Sequence, residues 1–577
     1  MIKNLKFPPA STREASRAGK IQNFKEIFDW KLGLFLLAIA VGIFLRVYQF
    51  GDWLYFKLDQ ARDAFVISNA YFNGPGALPL LGPRAGGTTL LLGPAYYYFQ
   101  YFALLLTRNL CPTTYALPDI TFSILSIPLF YIFLKKYFSR DWSLGLASAY
   151  AVCFFAIEYS RFAWNPNPLP FFTILYFFSI LNALDERSCH PWIWLTISAV
   201  ALAIATQLHF LAFLALPTVT ILFLVFSRKQ VKKTLGLGKI IFFIGIFLFS
   251  YLPWILNDLS ANWKNTRLFW KAVLIKLFSA TLLEDIITGM ANFAHNWLVV
   301  LTGYLPGSKN IAIALAIWIV FVIPAIYAGF RLYRSEKDFA KKSFILLSIL
   351  WILVFLVIDI PIGHQLWPRF FMGTLVIPFI FLGYYLQYFT ERIKRFRAYI
   401  FVAALTIVIA GNIWGTLLWF QQIKTAQKGM ANNSRTFVFK DEDGVVLWHI
   451  NKIAEYMQKS CPNGKIFFSS ASIYVKPIIY MSRYNKGELN KDQGSASNQK
   501  ICYFGIVRAS VAGLKDIESQ VGAKFSVKEQ QQYGELRVMR IIPQSSDSAD
   551  LSSKFHNIED DIRESKTDRL YWKDVVL

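Results

Sequence analysis

Residues 89–107, TLLLGPAYYYFQYFALLLT, are apolar enough to enter a bilayer, and whether they cross it decides the sidedness of every loop that follows. Upstream, Lys3, Lys6, Arg13, Arg17, Lys20, Lys25 and Lys31 outnumber Glu14, Glu26 and Asp29, so the positive-inside rule makes 1–30 a cytoplasmic tail. Runs long enough for a membrane helix lie near 31–50, 118–134, 143–159, 168–184, 191–208, 210–227, 239–256, 310–330, 343–360, 370–389 and 398–420, about eleven in all. With 89–107 left out of that count, the basic groups Lys135/Lys136/Arg140, Arg228/Lys229/Lys232/Lys233, Arg331/Arg334/Lys341/Lys342 and Arg392/Lys394/Arg395/Arg397 all fall inside. Counting it would put them all outside. The stretch therefore reads as a half-inserted or membrane-surface helix within a first outer loop of about 51–117. Asp185-Glu186-Arg187 favours neither side. The first apolar run is too long, and too far from residue 1, for a cleavable signal peptide.

Composition agrees: 55% of the 577 residues are hydrophobic, 17% aromatic and only 17% charged, against roughly a quarter charged in soluble domains. A single soluble globule and a disordered chain are both excluded. The formal charge of +24 is spread over cytoplasmic loops rather than gathered in one aromatic-lined stripe, which argues against nucleic acid as a partner. The expected architecture is a polytopic α-helical membrane protein, with juxtamembrane helices in the first outer loop and a soluble α/β domain at 421–543 outside the membrane. That domain is expected to hold helices near 444–459 and 513–520 and strands at 465–470, 501–507, 524–528 and 535–541. Residues 544–577, rich in Ser, Asp, Glu and Lys, read as a disordered tail. Cys111, Cys153, Cys189, Cys461 and Cys502 have no metal-ligand spacing. Cys461 and Cys502 share the outer domain, as a disulfide or, the favoured alternative, as two buried thiols.

Polar groups that chemistry could use collect on the outer side. In Lys57-Leu58-Asp59-Gln60-Ala61-Arg62-Asp63 a helix would set Asp59, Arg62 and Asp63 on one face, either as a surface ion pair or as a site. The loop runs on through Gly93-Pro94-Ala95-Tyr96-Tyr97-Tyr98, too apolar for disorder. In the run from Glu158 to Pro168, Arg161 could bind phosphate or snorkel to headgroups; Asn165 and Asn167 could bind hydroxyls or cap a helix. His209 separates two spans, and Arg369 follows Trp367-Pro368 where a cation could meet a lipid phosphate.

Four segments, LDQARDA, GPAYYYF, YSRFAWNPNPLPFF and WPRFFMGTLVIPF, resemble in order, spacing and sidedness the bacterial and archaeal membrane glycosyltransferases of the dolichyl-phosphate-mannose protein mannosyltransferase type. These have the C-type glycosyltransferase fold, and the resemblance covers roughly 30–420. It implies transfer of a sugar, mannose among the candidates, from a polyprenyl-phosphate donor to a protein, lipid or glycan acceptor on the extracytoplasmic face of the cell membrane. It implies Asp59 as base or organiser of the acceptor, and it places the pattern's Arg on Arg62. The usual second acid is absent, because Gln60 follows Asp59, and this puts a divalent metal in doubt; Asp63 is an extra acid without a family role. Arg62, Arg161 and Arg369 are candidates for the donor phosphate, and Asp63, Tyr97, Tyr98, Asn165 and His209 for other substrate contacts. A multi-pass lipid or glycan transporter is the alternative, though such proteins more often show internal repeats, and none is visible here.

Overall fold

The computed structural model describes residues 29–85, 90–277, 282–304, 310–428, 444–489, 500–508, 513–544, 551–559 and 569–576. The expected cytoplasmic tail lies outside these apart from its last two residues. Among the described residues six helices are long and apolar enough to cross a membrane: Trp30–Val47, Leu117–Lys135, Pro191–Leu208, Ile311–Ser335, Phe339–Gly363 and Arg397–Gln427. Four bent pairs raise the total to as many as ten: Arg140–Ala151 with Phe154–Ser160, Phe210–Phe226 with Arg228–Thr234, Leu237–Ser250 with Leu252–Ser260, and Pro368–Thr374 with Ile377–Phe389. Leu169–Ala183, the remaining apolar run, is helical but only 15 residues long. Residues 95–107 form the separate helix Ala95–Thr107.

Breaks in these helices expose backbone groups that an apolar bundle cannot leave unpaired. At the 49° bend between Ala151 and Phe154, the buried Arg46 donates from Nη1 to the Ala151 carbonyl (2.8 Å) and from Nε to Ser123 Oγ (2.9 Å). On the other side of the bend, Asn412 Oδ1 accepts the Phe154 amide at 2.7 Å, while its Nδ2 donates to Leu301 and Val408 carbonyls. Helices Lys264–Leu277 and Leu282–Thr302 lie outside the expected runs, and in the second Glu284 and Asp285 interrupt the apolar pattern. The second rests on the turn Ile360–Gln365, where a Cβ on Gly289 would strike the backbone of Ile360 and one on Gly363 the backbone of Asp285 and Gly289.

Ion pairs gather the basic loops at one end of the bundle: Arg140 with Asp29 (2.7 Å), Lys136 with Asp185 (3.0 Å) and Lys233 with Glu186 (2.6 Å). The segment 185–187, uninformative about sidedness, is thus where two of those loops meet. The opposite end carries the first long loop and the C-terminal domain.

That domain is a five-stranded sheet in the order β3-β4-β2-β1-β5, from β1 (Lys465–Ser469), β2 (Ile501–Arg508), β3 (Phe525–Tyr533), β4 (Leu536–Pro543) and β5 (His556–Asn557). Only β1 and β2 run parallel; the other pairs are antiparallel. Helices Leu447–Ser460, Ser472–Lys486 and Leu514–Val521 accompany it, the second unanticipated because Pro477 and its polar residues mask the periodicity. Two expectations are corrected. Cys461 and Cys502 are joined in a disulfide rather than being separate thiols, since the parallel pairing of β1 with β2 brings the end of helix Leu447–Ser460 beside the start of β2. The stretch after Gln544 is not a disordered tail throughout: β5 pairs with β1, Leu551, Phe555 and Ile558 are buried, and 569–576 packs on the first long loop.

Closing a loop of 41 residues constrains the unfolded chain by about 4 kcal/mol on the chain-entropy view. Alkylation of the folded protein should therefore spare Cys461 and Cys502 until reductant is added, and Cys502→Ser should lower the domain's melting midpoint. Labelling of both cysteines without reductant would contradict the pairing.

Candidate functional site

Helix Leu58–Asn73 begins where Lys57, in extended conformation, passes its amide to Gln60 Oε1 (3.2 Å), and it ends at Gly74, whose φ of +82° suits a residue without Cβ. Its buried face carries Gln60, Ala61, Asp63, Ala64, Ile67 and Ser68. Gln60, which stands where the resemblance leads one to expect an acid, donates from Nε2 to the Ala163 carbonyl at 3.0 Å. A carboxylate there would have no proton to give, so an amide suits the position.

Arg62 lies between two acids. Its Nη1 donates to Asp59 Oδ1 (2.8 Å), and its Nε and Nη2 donate to Asp63 Oδ1 (2.9 and 2.8 Å). The acids differ in access: the Asp59 side chain is 45% exposed and that of Asp63 1%. Tyr97 also donates to Asp63 Oδ1 (3.1 Å), whereas Asp63 Oδ2 is buried without a hydrogen bond among the described residues. Burial pushes the Asp63 carboxyl up against the pull of Arg62, and Asp59 adds to the push. Burial alone would loosen the proton of Arg62, but Asp63, Tyr97 and Asp59 outweigh it and hold that group well above its ordinary value. A fixed cation thus has one locked and one open carboxylate, so the otherwise unassigned Asp63 serves to hold Arg62.

The other candidates separate into those near this triad and those that build its surroundings. Arg369 lies against the rings of Trp164, Trp367 and Phe370 at 5.0, 5.3 and 5.5 Å, within electrostatic reach of Asp59. It makes no ion pair among the described residues. His209 stacks edge-on with Phe370 (5.1 Å) while its Nδ1 caps helix Phe210–Phe226 by accepting the Leu211 amide. Tyr98 accepts a hydrogen bond from Trp572 Nε1 at 2.9 Å. Asn165 does not cap the following helix; its Nδ2 donates to the Leu208 carbonyl. Arg161 neither reaches the triad nor snorkels outward: it is 2% exposed and donates to the carbonyls of Leu45, Arg46 and Tyr48, closing the end of helix Trp30–Val47 beneath Phe420.

Sequence reasoning overlooked Asp119, fully buried in the first turn of helix Leu117–Lys135, which accepts the Tyr96 hydroxyl (3.0 Å) and the Trp164 amide (3.2 Å). An acid inside an apolar run was the available signal. Among the described residues no group of three or more His, Cys, Asp or Glu is placed to hold a metal ion.

No protein-family model matches the chain, and no curated protein matches it. Among solved structures, ArnT from Cupriavidus metallidurans bound to undecaprenyl phosphate superposes with a TM-score of 0.55 at 10% identity, over 88% of this chain and 98% of that one. The apo oligosaccharyltransferase of Archaeoglobus fulgidus does so with a TM-score of 0.50 at 11% identity, over 85% of this chain and 70% of that one. At such identities the likeness is one of fold, and that fold is the C-type fold of membrane glycosyltransferases.

Losing the three charge-assisted bonds of Arg161 inside the bundle should cost about 3 kcal/mol. Arg161→Gln is accordingly expected to lower the melting midpoint in detergent, and an unchanged midpoint would return Arg161 to the ligand-binding candidates.

Proposed function

We propose that this chain is a glycosyltransferase that moves a sugar, with mannose the first to offer, from a polyprenyl-phosphate carrier to an acceptor hydroxyl at the extracytoplasmic membrane face. The observation that carries this reading is the open carboxylate of Asp59, fixed by Arg62 within electrostatic reach of Arg369. The fold shared with ArnT, whose structure holds undecaprenyl phosphate, supports the donor class. The acceptor is a protein, lipid or glycan hydroxyl.

The chemistry needs a base and a cation. An attacking hydroxyl loses its proton as the new glycosidic bond forms. Asp59 takes that proton through Oδ2, which carries no hydrogen bond among the described residues while Oδ1 stays on Arg62. The departing polyprenyl phosphate gains negative charge as its bond to the anomeric carbon breaks, and Arg369, cradled by apolar rings and without an ion pair among the described residues, stabilises it. Arg62 holds Asp59 beside this cation. Direct displacement inverts the anomeric centre. Trp164 and Trp367 offer the sugar and the carrier apolar faces beside the charge.

In proteoliposomes offered a panel of polyprenyl-phosphate sugars, wild type should release free polyprenyl phosphate and Asp59→Asn should be about 10²- to 10⁴-fold slower. Release by both would move the base elsewhere, and no release from any donor by folded protein would remove the transferase reading. Arg369→Ala should raise the KM for donor about 10- to 100-fold, the worth of a charged contact to phosphate; unchanged kinetics would leave Arg369 a membrane anchor.

A further inference from the structure

Residues 569–576 are far in sequence from Asp59 and its neighbours, yet their contacts lead directly to them. The start of the segment pairs edge to edge with the first long loop before it turns into the short helix Lys573–Val576: Leu80 N donates to Leu570 O (2.9 Å), Trp572 N donates to Leu78 O (3.2 Å), and Pro79 and Tyr571 face each other as an antiparallel bridge. Asn257 Oδ1 accepts the Leu570 amide at 2.8 Å, tying the paired stretch to helix Leu252–Ser260. Gly76 leaves room for Lys573, whose Cβ would stand 3.3 Å from a Cβ at that position. Edge-to-edge pairing of this kind sets register through backbone bonds, and register determines where each side chain falls.

Two side chains then reach adjacent tyrosines of helix Ala95–Thr107. Trp572 Nε1 donates to the Tyr98 hydroxyl, which itself donates to the Pro79 carbonyl. Arg569 Nη1 donates to the Tyr97 hydroxyl (3.4 Å), with its guanidinium 5.8 Å from that ring. Tyr97 donates onward to Asp63 Oδ1, the same oxygen that accepts both bonds from Arg62. A cation feeding the Tyr97 oxygen leaves the hydroxyl proton to point at Asp63, and the polarised hydroxyl is the better donor. Asp63 is the locked carboxylate that fixes Arg62, and Arg62 holds Asp59.

We infer that Arg569–Val576 is a strap that completes the site by edge-to-edge pairing, and that Arg569 is a positioning residue acting through Tyr97 on the Asp63–Arg62–Asp59 triad. This rests on the transferase reading for its effect on rate, though not for the docking itself. Arg569 does not touch the open carboxylate and so sets the orientation of the base rather than the binding of donor.

The test uses the full chain in the donor-release assay with Arg569→Gln, Tyr97→Phe and the double variant, and hydrogen exchange on a variant whose residues 569–576 are replaced by a Gly-Ser sequence of equal length. Arg569→Gln should lower kcat about tenfold with donor KM within about twofold, and Arg569→Lys should recover part of the loss. The double variant should be no slower than Tyr97→Phe alone, because both changes cut one path; losses that multiply would overturn action through Tyr97, as would an unchanged kcat in Arg569→Gln. In the Gly-Ser variant the Leu80 amide should exchange at least about tenfold faster while helix Leu447–Ser460 keeps its protection. Unchanged exchange at Leu80 would overturn the strap, and this holds even if wild type releases no polyprenyl phosphate, an outcome that defeats the transferase reading instead.

Discussion

An apolar bundle tolerates no unpaired backbone group, and much of this architecture follows from how its broken helices meet that demand. Arg46 and Asn412 stitch the bend at 151–154, and Arg161 closes the end of the first long helix. Buried cations are costly, but these are spent on carbonyls that would otherwise have no donor. The bend and the cap together set the start of the segment 161–168. Asn165 then ties its far side to Leu208, while Gln60 and Asp119 hold Ala163 and Trp164 between. The aromatic bed of Arg369 is thus a remote product of backbone satisfaction in the bundle.

Division of labour between two acids gives the site its character. Asp63 is buried and locked by Arg62 and Tyr97, whereas Asp59 shares the same guanidinium yet keeps its outer oxygen open. Burial makes one carboxylate a fixture and exposure leaves the other open to solvent. The C-terminal domain takes part as well: Tyr480 of helix Ser472–Lys486 shares hydrogen bonds with Tyr115 (2.9 Å) and through it with Ser68 of helix Leu58–Asn73. That helix is therefore held from the bundle on one side and from the domain on the other.

Some of the candidate residues were legible because their signal is local. Asp59, Arg62 and Asp63 fall on one helical face by spacing alone, and the run from Tyr96 to Tyr98 announces itself by composition. Others were legible as unusual but not in role. Arg161 was noticed as a cation at a helix end, but whether it meets phosphate or carbonyl depends on where helix Trp30–Val47 stops beside it. Asp119 passed unremarked inside an apolar span, and the pairing of Cys461 with Cys502 needed the parallel register of β1 and β2.

By itself the sequence determined the position and order of most of the apolar helices, the separation of a polar α/β unit and the face that carries Asp59 and Arg62. These follow from hydropathy and periodicity, which act over one or two turns or a single span. Only the tertiary structure decided that Gln60 serves the loop at Ala163, that Arg161 is a cap, and that residues 570–572 bridge to 78–80. Each of these joins groups more than a hundred residues apart. Nothing in local composition says which distant carbonyl will be left needing a donor until the chain is packed.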